Sequence, residues 1–230
     1  MENILYVITA RGGSKGIPGK NIKLFHGKPL LYYSIDAARQ CTTDENICLS
    51  SDCVEIIDTA AAYGLPVPFV RPSELATDTA GSYEVLLHAY KHYKEAGKEY
   101  EVLVLLQPTS PLRTGKQIEE AIKLYSREID MVVSVFKADA NPYYNLFEES
   151  ESGFLNHSKK GNFTRRQDAP DTWQLNGAIY VININSLLQK PLHEFEKLVK
   201  YEMDKISSVD IDTPFDWQWA EFLFSKQMIK

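Results

Sequence analysis

The sequence predicts a doubly wound α/β fold built on a mainly parallel sheet, with one small β-rich insertion. Three observations carry this. Short β-branched apolar runs alternate with amphipathic segments of helical period. The rhythm breaks once, between Ala138 and Leu175, and resumes with "NGAIYVININ". The length of 230 residues suits one large domain with an insertion rather than two full domains.

The elements follow in order. "NILYVITA" reads as a buried strand of about six residues. "PLLYYSIDAARQC" reads as a helix, with Pro29 in its first turn and Leu30, Leu31, Ser34 and Ala38 on one face. "NICLSS" is a second strand, and "CVEIIDTAAAYG" a helix stopped by Gly64. "VPFV" is expected to form a short third strand. "AGSYEVLLHAYKHYKEAG" is a helix ending at Gly97, and "YEVLVLLQ" is the strongest strand signal in the chain. "GKQIEEAIKLYSRE" gives a helix, "DMVVSVFKA" a strand, and "EFLFSKQMIK" a closing helix. Residues 1–137 and 176–230 therefore form the α/β domain, and 138–175 the insertion. Ligands of such sheets sit at the carboxyl ends of the strands. That rule gathers the loop after the first strand, "SSD" and "QPTSPLR" along one rim.

Composition is that of a globular protein, with 44% hydrophobic and 24% charged residues. A net charge of -6 argues against general binding of nucleic acid or anionic membranes. The acidity is uneven, however. Before Asp36 the one acidic residue is Glu2, against Arg11, Lys15, Lys20, Lys23 and Lys28. Such a basic segment on an acidic chain suits a small anionic ligand. Cys41, Cys48 and Cys53 lack metal or redox spacing and read as thiols in a reducing compartment. No secretory leader or run of membrane-spanning length is visible, so the expected location is the cytoplasm.

The stretch "ITARGGSKGIPGKN" looks like a phosphate-binding loop, yet it fits neither common template. Gly13 and Gly19 are separated by five residues, and Asn21 stands where a P-loop carries its hydroxyl. A dinucleotide G-x-G-x-x-G is absent as well. Gly12, Gly13 and Gly16 can still turn backbone amides toward phosphate oxygens. Arg11, Lys15 and Lys20 can add charge-assisted hydrogen bonds. On composition alone a solvated glycine-lysine loop competes with this reading.

Beyond that loop, "RPSELATDTAGS", "LQPTSPLR", "RRQDAP", "NGAIYV" and "DIDTPFD" follow in order. Together these segments resemble the acylneuraminate cytidylyltransferases, over nearly the whole chain. Ala169 replaces the leucine of the family's usual "RRQDLP". The resemblance implies a Rossmann-like nucleotidyltransferase that joins CTP to a nonulosonic acid, releasing pyrophosphate. N-acylneuraminate is the expected sugar, with pseudaminic, legionaminic and deoxyoctulosonic acids as alternatives. It implies CTP contacts from Arg11, Gly12, Gly13, Ser14, Lys20, Asn21, Arg71 and Ser82. Sugar contacts would come from Gln107, Ser110, Arg113, Arg165, Arg166 and Gln167. Catalysis would fall to Arg11 and Lys20, with Asp210 and Asp212.

Asp210 and Asp212 alternate, and at strand periodicity residues two apart share a face. Two carboxylates aimed at a triphosphate make an oxygen-ligand site suited to Mg²⁺. The family's insertion mediates a homodimer and helps complete the neighbouring sugar site; Tyr143, Tyr144, Phe147 and Phe154 are the candidate contacts. A CTP- or CMP-binding module without turnover is the different-class alternative. A glycosyltransferase with a DxD motif is a third reading, opposed by the basic loop and "LQPTSPLR". His88 and His92, four apart on a helix without an intervening glutamate, read as surface residues rather than metal ligands.

Overall fold

The computed structural model describes residues 3–77 and 81–226. A six-stranded sheet organises them. Its strands are β1 (Ile4–Thr9), β4 (Ile47–Ser50), β5 (Val102–Leu106), β6 (Met131–Lys137), β9 (Trp173–Asn183) and β10 (Leu198–Glu202). Two small hairpins supply the remaining strands: β2 (Leu24–Phe25) with β3 (Lys28–Pro29), and β7 (Phe147–Glu149) with β8 (Leu155–His157). The sheet order is β10-β6-β9-β5-β1-β4. β9 runs antiparallel to both β5 and β6, whereas the β1–β4, β1–β5 and β10–β6 pairs are parallel. The expected mainly parallel, doubly wound sheet is therefore present.

Helices cover both faces. On one face α1 (Leu30–Arg39), α2 (Val54–Ala62) and α4 (Gly115–Lys123) pack Leu31, Ile35, Ile56, Ala60 and Ile118 against Tyr6 and Ile8. On the other, α3 (Ser82–Glu95) and α5 (Ile184–Gln189) pack Leu86, Ala89, Tyr90 and Leu187 against Leu5 and Val7. Successive residues of β1 thus serve opposite faces, as strand geometry requires. A third cluster joins α6 (Pro214–Ser225) to the β2–β3 hairpin through Phe25, Ile211, Trp217 and Leu223. Among the described residues no helix is long and apolar enough to cross a membrane.

Several elements differ from expectation. "VPFV" forms no strand. Pro68 removes an amide from a four-residue run that already borders the sheet's edge. Phe69 instead packs on α3, with its ring 4.9 Å from His88 and 4.7 Å from His92. Both histidines are consequently half-buried rather than surface residues. β10 went unread because its alternating pattern is half-exposed and carries Lys200 and Glu202, as an edge strand tolerates. The closing helix starts earlier than expected, at Pro214, behind a capping box of Thr213 and Asp216; its expected last residues, 227–230, lie outside the described ones. β9 begins at Trp173, three residues before "NGAIYV", and residues 173–175 pair with β6.

Candidate functional site: a basic cleft at the carboxyl rim of the sheet

β1, β4 and β5 all end on one rim, so the segments after Thr9, Ser50 and Leu106 converge there. They enclose a cleft of about 570 Å³, within the range of small-molecule sites. Arg11, Ser14, Lys20, Asn21, Arg71, Ser82, Gln107 and Asp212 all line it. Residues as far apart in sequence as Arg11 and Asp212 are thereby brought to one wall.

The basic loop is held rigidly at its far end. Asn21 is buried and donates through Nδ2 to the Arg11 carbonyl at 3.0 Å, closing the loop on itself. Lys20 is 8% exposed, and its Nζ donates to the Ile211 carbonyl at 2.6 Å and to Asp212 Oδ1 at 3.0 Å. Gly16 has a specific reason to be glycine: a Cβ there would sit 2.1 Å from the Asp212 carbonyl oxygen. The loop and the acidic segment therefore touch backbone to backbone.

The expected amide nest is only partly formed. Gly12 and Gly13 do not line the cleft, whereas Gly16 and Lys15 do. The Gly12 amide instead donates to Asp52 Oδ1 at 3.1 Å, so a carboxylate of the "SSD" segment already takes that hydrogen. Glycine at position 12 answers to packing, since a Cβ there would lie 2.9 Å from the Cys53 Cβ.

Arg71 is 5% exposed and donates through Nε to Ser50 Oγ at 3.0 Å and through Nη2 to the Ser50 carbonyl. Burial pulls its guanidinium below the usual arginine range. Ser82 opens α3 beside it, after Gly81 at the N-cap. The neighbouring Asp78–Ala80 portion of the "RPSELATDTAGS" motif lies outside the described residues.

Asp210 and Asp212 do not lie on a strand; residues 209–212 form an extended segment that pairs once with the rim, Ile211 N–H donating to the Thr109 carbonyl at 2.8 Å. The alternation still operates, because Ile211 is fully buried in the third cluster while Asp212 is exposed and Asp210 half-buried. Burial raises the Asp210 carboxyl above its ordinary 3.8, although Thr109 hydrogen-bonds it. Its Oδ1 is buried without a hydrogen-bond partner. An orphaned carboxylate oxygen beside a second carboxylate fits a hard divalent cation. Among the described residues no third histidine, cysteine or acidic side chain joins the pair. A cation there would draw its remaining ligands from phosphate oxygens and water, as Mg²⁺ commonly does.

The expected sugar contacts divide. Gln107 lines the cleft. Ser110 and Arg113 lie behind its wall, 0% and 4% exposed. Arg113 turns both its Nη nitrogens onto the protein itself while its buried Nε has no hydrogen-bond partner. Among the described residues no carboxylate stands beside it, and burial lowers the guanidinium to about 9, still charged at neutral pH. Arg166 and Gln167 line a separate cavity of about 360 Å³, shared with Lys137 and Asn141. Arg166 Nη2 pairs with Asp139 at 3.1 Å, and Lys205 pairs with the same carboxylate. Arg165 faces neither cavity and forks onto Asp168 at 2.8 and 3.0 Å.

Sequence reasoning missed Thr9, Thr77, Thr109 and Val85 on the cleft wall. It also missed Gly177, whose φ of +73° suits glycine and whose Cβ would press on Gln107 Oε1 at 3.0 Å. The glycine of "NGAIYV" was the available signal.

Fold and cleft define the class: a Rossmann-like α/β nucleotidyltransferase. The sequence profile of the family described as Cytidylyltransferase matches residues 5–227. The chain is 33% identical to the CMP-N,N'-diacetyllegionaminic acid synthase of Legionella pneumophila, over 96% of this chain and 95% of that protein. It is 37% identical to the N-acylneuraminate cytidylyltransferase of Escherichia coli O18:K1:H7, over 94% of this chain but 51% of that protein. Among solved structures, a CMP:2-keto-3-deoxy-manno-octonic acid synthetase complexed with CTP shares the fold at TM-score 0.69 and 15% identity, covering 98% of this chain and 99% of the other. The chain belongs to the cytidylyltransferase family.

Proposed function

We propose that this protein transfers a cytidylyl group from CTP to a nonulosonic acid, forming the CMP-sugar and pyrophosphate. The observation that carries the reading is the meeting of Arg11, Lys20, Arg71 and Asp212 around one cleft. With Lys15, these cations face a ligand space that a triphosphate would fill, and electrostatic stabilisation of the transferring phosphoryl group is their natural work.

In this mechanism Arg71, anchored on Ser50, fixes the base and ribose end together with Ser82. Arg11, Ser14 and Asn21 hold the phosphate chain, and Lys20 neutralises charge on the α-phosphoryl and the departing pyrophosphate. The anomeric hydroxyl of the sugar attacks the α-phosphorus directly, its proton leaving to water. Asp210 and Asp212 would hold Mg²⁺, which when bound orients the phosphates and offsets their charge. Gln107 faces the incoming sugar.

N-acylneuraminate is one sugar that fits this scheme. The N,N'-diacetyllegionaminate reading has a specific observation in its favour: the legionaminic relative is matched almost end to end, whereas the neuraminate relative is about twice as long. Arg166 and Gln167 stand in a cavity apart from Gln107, which a homodimer placing one protomer's insertion over its partner's cleft would reconcile. Exposed Phe147 and Phe154 on the insertion would be the contacts. Three free thiols suit a cytoplasmic setting.

The test is pyrophosphate release from CTP and Mg²⁺ with N-acetylneuraminate, legionaminate, pseudaminate and deoxyoctulosonate in parallel. Release with one of them establishes the reaction and the sugar. Saturable CTP binding without release from any would favour a binding module. Light scattering at micromolar concentration checks the dimer; a fully active monomer would refute it.

A further inference from the structure

The β5–β9 ladder ends at the pair Leu106 and Ile179. The next residues in register are Gln107 and Ala178, and their carbonyls do not continue it. Both accept from one nitrogen of Arg113: Nη1 lies 3.1 Å from the Gln107 oxygen and 2.8 Å from the Ala178 oxygen. Nη2 donates to Ser34 Oγ at 2.5 Å, and that hydroxyl in turn donates to the Gln107 carbonyl at 3.3 Å. The Ala178 amide donates to Asn176 Oδ1 at 3.1 Å. One guanidinium thus stands where two strands part, tied to α1, β5 and β9.

The parting is where the cleft is built. Thr109, two residues past Gln107, receives the acidic segment through Ile211. At Gly177, next to Ala178, the Gln107 amide and the Asp210 carboxylate both come within contact of the space a Cβ would fill, at 3.0 and 3.5 Å. Arg113 is 4% exposed, and among the described residues no carboxylate pairs with it. An unpaired buried cation is costly, and an aliphatic side chain would remove that cost. It would also orphan the buried Ala178 carbonyl and leave the Gln107 carbonyl to the Ser34 hydroxyl and the Ser110 amide, each at 3.3 Å. A planar fork with several donors can bridge the two carbonyls; an ammonium on a flexible stem does so poorly.

We propose that Arg113 is a positioning residue of the reaction: it fixes the width of the β5–β9 split and, through the Gln107 carbonyl, sets the Gln107 amide against the substrate. This rests on the cytidylyl-transfer reading above, in which Gln107 faces the sugar.

Arg113→Lys, Ser34→Ala and Gln107→Ala, with the Arg113→Lys/Gln107→Ala double variant, test it in the full chain. Arg113→Lys is expected to lower kcat/KM for the sugar about tenfold, and Ser34→Ala about threefold, while the KM for CTP changes little. In the Gln107→Ala background Arg113→Lys should cost less than about twofold more, because both changes act through one side chain. Equal losses with and without Gln107 would overturn the proposal. Hydrogen exchange supplies a readout independent of turnover: acceleration confined to 106–110 and 176–179 supports the clamp, whereas uniform acceleration or none refutes it. Should the wild type release no pyrophosphate with any sugar, the functional reading fails while this exchange comparison still decides the clamp. Ser34→Ala, which removes one small hydroxyl, carries both measurements if Arg113→Lys does not fold.

Discussion

Lys20 Nζ lies 3.0 Å from Asp212 Oδ1, joining residues 192 positions apart across the mouth of the cleft. The ammonium is buried, while the carboxylate is 70% exposed, so this pair aims a protein cation from the wall toward the open ligand space. A bound triphosphate would offer Lys20 a stronger partner than a solvated aspartate. In the proposed mechanism the pair is an exchangeable contact, since the exposed carboxylate gives up little when Lys20 turns to phosphate.

Lys20→Met should lower turnover by on the order of 10²–10³, since in the proposed mechanism its charge acts on the phosphoryl group as it transfers. Lys20→Arg should fail to rescue it, because the larger planar head cannot occupy a site where Nζ sits 2.6 Å from the Ile211 carbonyl. Steady-state pyrophosphate release decides both. Turnover within about threefold of wild type for Lys20→Met would remove this residue from the chemistry.

The legibility of this architecture in the sequence followed burial. β1, β5 and β6 read as continuous apolar runs because both their faces are covered, and α1, α3 and α4 showed helical period. β10, half-exposed at the edge, lacked that signal. The antiparallel direction of β9 is a property of the whole path, which no local pattern encodes. Within the cleft, Arg11, Lys20 and Arg71 were legible from motif order. The inward turn of Arg113 was not, because an arginine in a proline-stiffened loop carries no mark of whether it points at ligand or at carbonyls. The capture of the Gly12 amide by Asp52 likewise joins positions 40 apart.

Asp210 should show opposite effects on stability and activity. Burial raises its carboxyl in the folded protein, so the native state holds the proton more tightly than the unfolded chain. Stability conferred by the neutral form is complete below the ordinary value of 3.8 and is lost as pH rises through the raised folded value. Asp210→Asn abolishes that loss. In metal-free buffer at pH 7 its thermal midpoint should exceed that of wild type, and the gap should close as pH falls below 3.8. Turnover should drop by on the order of 10²–10³, as for Asp212→Asn, since each removes a carboxylate from the proposed Mg²⁺ pair. Calorimetry across pH and a Mg²⁺ titration of activity check the two halves; near-normal turnover of Asp212→Asn at saturating Mg²⁺ would remove the metal role.

Arg71→Ala should weaken CTP binding by roughly 10- to 100-fold, the worth of charged hydrogen bonds of about 1.5–3 kcal/mol. It should also destabilise the free protein, because Ser50, fully buried, loses the guanidinium that hydrogen-bonds both its hydroxyl and its carbonyl. Titration calorimetry with CTP, beside thermal melts, separates the two effects. Unchanged affinity would place the base elsewhere in the cleft.

Gly16→Ala and Gly13→Ala form a pair whose contrast tests the contact between the loop and the acidic segment. A methyl at position 16 would lie 2.1 Å from the Asp212 carbonyl oxygen, far inside contact distance, and backbone must move to admit it. The same methyl at position 13 meets nothing within 4 Å. Displacing Asp212 by about 1 Å should cost roughly 100-fold in turnover, the scale on which misplaced catalytic groups act. Gly13→Ala should stay within a few-fold of wild type. Soaking or titrating with CTP then separates geometry from affinity: Gly16→Ala should lose more in kcat than in CTP binding, because the phosphate cations remain while the carboxylate shifts away from them. Equal, mild losses for both variants would mean that the loop tolerates movement against residue 212, and that the backbone contact between them does not set the catalytic geometry.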